Sequence, residues 1–436
     1  MSMHDPGDSA RRLRASAERA LELMRAHGFE HAQASAARVV RHELNFNFNE
    51  PSLMRSTDVE RLALSGLVDG RKASTELGEV EGGADLAERI AALHADARAA
   101  PQDAAHAVSA GERARIVQGP PEADLRLLAD TVAEVLDVRA REAPKMMLEE
   151  GLAAHALLEA QTLTSGGSDL ACRVGWYEAS VMGTARDGQR ASSFNHAGGR
   201  CHDLRGVPIV ERFGIGAMLH DTQRQVDAQP IGASFTGDVV LMPQAVADVV
   251  GWLLGQLSDP ALIARTSLYR ERVGSPIGAP LLSLRSRFDA PGIAAISADA
   301  YATAPVEVLS GGRLCTLLPS LYGSRKTGLP HVPTPGGGWE LDAGPTPRSE
   351  VIGGVPRGSL VGRLSMGHPA SNGDFSGVIK NSFAIEHGEI AGALSETMIS
   401  GNVAQMLKDV TAVSCERIDT GTLCLPWLRI GGLHFS

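Results

Sequence analysis

Leu13, Ala17, Ala20, Leu21 and Met24 recur at helical spacing near the start of the chain. Asp8 and Ser9 stand where they would cap that helix, and Gly28 where it would stop. From His42 to Asn49 the pattern changes to strict alternation. His42, Leu44, Phe46 and Phe48 share one face of a strand; Glu43, Asn45, Asn47 and Asn49 share the other, on which Asn45, Asn47 and Asn49 form an exposed polar face. Leu62 to Val68 and Lys72 to Val80 read as two strands around an Asp69-Gly70 hairpin turn. Leu86, Ile90, Leu93 and Ala97 return to helical spacing. These elements predict an α+β unit over residues 1–105.

Residues 100–122 are rich in Ala, Pro and Gly and read as a linker. Ala123 to Ala160 reads as helical, with a stripe of Leu125, Leu128, Val132, Val135 and Leu136, broken by Thr164-Ser165-Gly166-Gly167-Ser168. Leu170 to Asp203 is strand-like, with a turn at Asp187-Gly188, and Gln229-Pro230 punctuates the chain again. Asp238 to Met242 reads as a short buried strand and Pro243 to Leu257 as a helix. The rest is strand-rich, with turns at Gly311-Gly312, Gly336-Gly337-Gly338 and His387-Gly388. The expected organisation is an α+β fold with a second, middle domain over 123–228 and a strand-rich domain over 229–436.

Composition narrows the function classes. With 43% hydrophobic and 21% charged residues, the 436-residue chain has a globular balance. Its net charge of -10 and the lack of any basic run leave no footprint for nucleic acid. Cys172, Cys201, Cys315, Cys415 and Cys424 are dispersed, as in reduced thiols. The polar start, Met1 to Arg14, has no signal-peptide core, and no apolar run is long enough to span a bilayer. A cytoplasmic protein with neither membrane nor nucleic-acid partners is expected.

Chemistry-bearing motifs are sparse. His27-Gly28-Phe29-Glu30-His31 matches a zinc-peptidase pattern, but that pattern needs a continuous helix and Gly28 interrupts it. His42-Glu43 is followed four residues after His42 by Phe46, in a strand. His196, Cys201, His202 and Asp203 form the most ligand-like cluster, in a loop setting around Ala197-Gly198-Gly199. No nucleophile elbow or phosphate loop is present. Gly336-Gly337-Gly338, between Pro335 and Trp339, is a flexible turn.

The C-terminal half carries a resemblance. Asn372-Gly373-Asp374-Phe375-Ser376-Gly377, then Asn381-Ser382-Phe383-Ala384-Ile385-Glu386-His387-Gly388-Glu389-Ile390, then Ile399-Ser400-Gly401-Asn402, resemble the signature of the TldD/PmbA peptidase family. Phe288 to Gly292, Val308 to Leu314 and Tyr322 to Gly328 resemble further family segments in the same order. The resemblance implies that Asn372, Gly373, Asp374, Phe375, Ser376, Glu386, Gly388, Gly401 and Asn402 form the family's structural signature. TldD-type members carry H-E-x-x-x-H on the helix after a short buried strand, with a late Cys as a further metal ligand. Here that helix reads Pro243-Gln244-Ala245-Val246-Ala247-Asp248-Val249-Val250-Gly251, and Cys415 and Cys424 stand in other contexts.

The chain therefore resembles the companion, TldE/PmbA-type subunit. That implies a partner that holds zinc while this subunit holds none and has no catalytic residue, the pair processing peptides or unfolded small proteins. The chain would contact the extended peptide substrate in strand-like fashion. His368 and His387 depart from the family pattern, so a rebuilt metal site from His196, Cys201, His202, His331, His368 or His387 stays open. So does a homodimeric peptide-binding scaffold.

Overall fold

The computed structural model describes residues 6–78, 83–334 and 336–436. Its first half is built on strands far longer than the alternating octet in the sequence. The elements run α1 (Pro6–Ala26), β1 (His31–Asn47), β2 (Glu50–Val68), β3 (Arg71–Leu77), α2 (Gly83–Ala99), β4 (Arg113–Gln118), α3 (Leu125–Glu142), β5 (Met146–Thr164), β6 (Asp169–Asp187), β7 (Arg190–Ala191), β8 (Asn195–Cys201) and α4 (Ile215–Arg224). They form one sheet in the order β3-β2-β1-β5-β6-β4, with β7 and β8 pairing the later part of β6.

One face of this sheet is covered by helices. Leu13, Ala17, Ala20 and Met24 of α1 and Leu86, Ile90 and Leu93 of α2 pack on Ala32, Ala34 and Ala36. Small alanines on the strand let the helices approach closely. Further along the same face, Leu128, Val132 and Val135 of α3 cover Phe46, Leu148 and Val181. Phe46 pairs across the ladder with Gly151, whose missing side chain leaves room for the ring. The other face sets Ala156, Cys172, Val174 and Trp176 against Ala294 and Ile296 from the second half.

The second half contains β9 (Phe235–Leu241), α5 (Pro243–Leu257), α6 (Asp259–Ala264), β10 (Leu284–Ser286), β11 (Glu307–Ser310), β12 (Arg313–Leu314), α7 (Leu321–Thr327), β13 (Trp339–Leu341), α8 (Arg348–Gly353), β14 (Arg357–Val361), β15 (Arg363–Ser365), β16 (Asp374–Lys380), β17 (Ser382–Glu386), β18 (Glu389–Leu394), β19 (Thr397–Asn402), α9 (Val403–Lys408), β20 (Val410–Asp419) and β21 (Leu423–Phe435). The sheet runs β12-β11-β10-β13-β21-β9-β14-β17-β18, and β20 and the β15-β16-β19 group join it through β21. Val246, Val249, Val250 and Leu253 bury the inner face of α5 on it. The α+β class read from the sequence stands.

Several local expectations differ. The segments 1–105 and 123–228 share one sheet, because β1 pairs β5 antiparallel from Gln33↔Thr164 to Phe46↔Gly151. Met146–Thr164 is a strand, not the end of a helix. It is hydrogen-bonded on both edges, by β1 and β6, and that pairing overrides its Ala- and Leu-rich helix propensity. The expected linker contains β4, which pairs β6 in parallel. Asp8 and Ser9 lie inside α1, and the Ser9 hydroxyl donates to buried Glu159 at 2.7 Å. Glu43, on the same face as the asparagines expected to be exposed, is buried, because Arg41 and Arg55 pair with it. His27 lies beyond the end of α1 and His31 opens β1, so no helix carries both. Val80 of the expected second hairpin strand, and Pro335, lie outside the described residues.

Candidate functional site

α5 forms because Pro243 occupies its first turn, where a missing N–H costs nothing, and an apolar run follows. Its inner face is spent on the core, leaving Gln244, Ala247 and Asp248 facing a cleft of about 480 Å3. The remaining walls are Asn195–Gly198 of β8, Phe213, Gly214, Ala217, Met218 and Asp221 at α4, residues 362–365, Asn381, and Ile418, Thr420, Leu423 and Leu425. The cleft thus lies where the first sheet meets the second, and its size is that of a small-ligand pocket.

Its polar groups are few and placed by short-range contacts. The Nε2 and Nδ1 atoms of His196 lie 3.1 and 3.4 Å from the Gln244 amide nitrogen, which donates to the ring. Burial first, and then the Arg363 charge, depress the His196 pKa and favour the neutral ring. Arg363 is committed elsewhere: its guanidinium lies 4.4 Å over the Phe194 ring and donates to the Phe194 carbonyl at 3.4 Å. Asp248 is exposed at the cleft, yet desolvation by the surrounding walls pushes its pKa up to about 6, against the Leu364 backbone N–H and Arg363. Burial likewise raises the pKa of Asp221, whose counter-charge Arg224 stands 3.6 Å away. Asn381 adopts φ 52° and donates from Nδ2 to the Phe194 carbonyl at 3.0 Å. Its buried Oδ1 has no hydrogen-bond partner.

Of the candidate ligands read from the sequence, His196 alone lines this cleft. Cys201 lies five residues further along β8, on the opposite face, where it packs beside the α3 core and burial pushes its thiol up to about 11. His202 follows the strand end, with Nε2 3.1 Å from the Gln118 amide nitrogen. Six residues of extended chain separate it from His196 by roughly 20 Å. His368 is exposed, His387 sits in the β17–β18 turn with φ 52°, and His331 faces Asp299 at 3.6 Å.

The signature residues make a structural joint. Asn372 and Asp374 bond one another, Asn402 Nδ2 donates to the Asn372 carbonyl and to Asp374 Oδ1, and Val403 N donates to the Gly373 carbonyl. Asn402 Oδ1 meanwhile caps α9 through the Gln405 N–H. Phe375 is buried in the main core beside Gly401, Ser376 pairs across the ladder with Ser400, and Glu386 precedes the β17–β18 turn, which contains Gly388. The sequence reading missed Asp221, Gln244, Asp248, Arg363 and Asn381. A lone carboxylate inside the apolar run of α5 was the one available signal.

Residues 234–436 match the model of the PmbA/TldA metallopeptidase C-terminal domain. The C-terminal part of the chain is thus a domain of the PmbA/TldA metallopeptidase type. The fold is shared along the whole chain with TldE from Thermococcus kodakarensis, at 19% identity, a TM-score of 0.81, and coverage of 96% of this chain and 99% of that one. A modulator of DNA gyrase from Bacteroides thetaiotaomicron is similar at 19% identity and a TM-score of 0.81, over 97% and 98% of the two chains. A further one from Thermotoga maritima is similar at 17% identity and a TM-score of 0.76, over 96% and 99%. Comparison with curated protein sequences gives no match.

A metallopeptidase family raises the question of a metal ion. The donors in the cleft do not fit one: among the described residues, no three His, Cys, Asp or Glu side chains converge on a common point. The cleft face of α5 offers an amide, a methyl group and one carboxylate, where zinc needs three converging ligands. Among the described residues no helix is long and apolar enough to cross a membrane.

Proposed function

We propose that this chain is the non-catalytic, TldE-like subunit of a TldD/TldE-type metallopeptidase complex that processes peptides or unfolded small proteins. The observation that carries this reading is the cleft face of α5. A helix directly after a buried strand is where the TldD type is expected to hold zinc, and here that helix offers Gln244, Ala247 and Asp248. The zinc and the catalytic base would come from a TldD-type partner, and this subunit would hold extended substrate along its cleft.

Two further features support a docked, intracellular subunit. Residues 50–61 of β2 pair β1 alone among the described residues, and Phe48, Leu53, Met54 and Val59 are exposed on that hairpin. An exposed edge with apolar side chains suits association with another subunit. All five cysteines are free thiols, as suits the cytoplasm.

The test is metal content and peptidase activity of the purified chain, alone and mixed with a TldD-type subunit. Neither metal nor activity alone, with cleavage on mixing, is expected. Bound zinc with activity alone would overturn the reading in favour of a rebuilt hydrolase, and peptide binding without any effect on a partner would favour a homodimeric scaffold.

A further inference from the structure

We propose that the cleft beside α5 is a subsite for a basic group on an apolar stem, as carried by a lysine or arginine side chain of an extended peptide. The inference rests on the peptide-holding reading above and adds what the site selects.

The cleft has two chemically distinct parts. Phe213, Met218, Leu364 and Ile418 supply apolar wall, suited to the methylenes of a long side chain. Asp221, Asp248 and Asn381 supply acceptors. Asp221 has Arg224 3.6 Å away, outside the lining, whereas Asp248 has only Arg363 near it in the lining, and that guanidinium already stacks on Phe194 and donates to its carbonyl. His196 does not redress the balance, since its surroundings favour the neutral ring.

The second observation is independent of charge. Asn381 is only 5% exposed, its Nδ2 is used, and its buried Oδ1 lacks a donor. A buried acceptor left unpaired is costly, so a site that keeps one is poised for a ligand that donates. An ammonium brings three donors and a guanidinium five, together with a positive charge to face Asp248. A carboxylate ligand would meet Asp221 and Asp248 with like charge, and a purely apolar one would leave Asn381 unsatisfied.

The experiment is calorimetric titration of the full chain with ten-residue peptides, acetylated and amidated, identical except for Lys, norleucine or Glu at one central position. A fourth peptide carries norleucine and a free N-terminal amine. The Lys peptide is expected to bind about tenfold more tightly than the norleucine one, in keeping with a charge-assisted hydrogen bond. Asp248→Asn, an isosteric change at an exposed position, should bring the two within about twofold of each other. Asp221→Asn serves as a second variant. A preference for the free-amine peptide alone supports the same chemistry with the chain terminus as its source. Equal binding of all four overturns the basic subsite and leaves peptide holding intact, as does a Lys preference that survives both substitutions. Failure of every peptide to bind overturns both.

Discussion

Asn402 Nδ2 stands 2.8 Å from Asp374 Oδ1, and the same amide presents its oxygen to the Gln405 N–H at 2.9 Å. One side chain therefore ties the turn before β16 to the first turn of α9. Asn402→Ala should remove the helix cap and the bond to Asp374 together, at a cost of about 1 kcal/mol from the cap alone. Urea denaturation of the two proteins checks this. Asn402→Asp keeps a capping oxygen but sets a carboxylate against Asp374, so it should be no better than Ala near neutral pH. A midpoint unchanged from the parent in Asn402→Ala would show that the joint is dispensable.

Gly373, in the same turn, has φ 93°, and a Cβ there would lie 3.2 Å from Asn402 Oδ1 and 3.3 Å from Ala404 N. Gly373→Ala should destabilise by roughly 1–2 kcal/mol through left-handed strain, with crowding of the cap adding to it. The drop should be seen by differential scanning calorimetry, with the far-ultraviolet circular dichroism spectrum unchanged at 25 °C.

Asp103 joins the halves of the molecule. It accepts from Lys326 Nζ at 2.7 Å and Tyr322 Oη at 2.8 Å, both on α7, and from the Ala105 N–H at 2.9 Å. The Lys326 bond, then the Ala105 and Tyr322 bonds, hold its carboxyl well below the usual carboxylate range. A depressed folded pKa contributes stability that is present above the unfolded value near pH 4 and lost as pH falls through the folded one. Asp103→Asn should therefore be less stable than the parent at pH 7, and the gap should narrow as the pH is taken down below about 4. A gap independent of pH would mean that packing, not charge, is lost.

Asp248 has the opposite sign. Its folded pKa, pushed up to about 6, lies above the unfolded value near 4, so the charged form is penalised in the folded chain. Asp248→Asn should match the parent below about pH 4, gain stability between about pH 4 and 6, and hold that gain above. Because Asp248 is exposed, solvent screening keeps the gain below about 1 kcal/mol. Denaturation midpoints at pH 4, 5, 6 and 7.5 measure it directly.

Glu43 lies buried between Arg41 and Arg55, at 2.6 and 2.5 Å. Desolvation works against its charge, but hydrogen bonds from Arg41, Asn45 and Arg55 lower its pKa on balance. Glu43→Leu should cost roughly 2 kcal/mol, less than a fully buried pair because both arginines keep access to water. Arg41 retains Glu178 at 2.5 Å, so the double change with Arg41→Met should fall short of the sum of the two single changes.

Local pattern settled much of this molecule. The spacing of Leu86, Ile90, Leu93 and Ala97 marked the buried face of α2, and Pro243 with the apolar run after it marked α5, because burial of one helical stripe leaves a period in the sequence. Asp69-Gly70, Gly311-Gly312 and His387-Gly388 marked turns, because those backbones take positive φ. The signature residues pointed to the family. Long-range pairing was not legible. Met146–Thr164 carries the composition of a helix, and hydrogen bonds to β1 and β6, from residues distant in the chain, made it a strand. The same pairing merged the two expected N-terminal units into one sheet. The cleft was hidden for the same reason: β8, α4, α5, Arg363, Asn381 and Ile418 converge only once both sheets are assembled. Cys201 and His202, neighbours of His196 in sequence, were carried away from it because an extended strand alternates its faces and adds about 3.3 Å per residue.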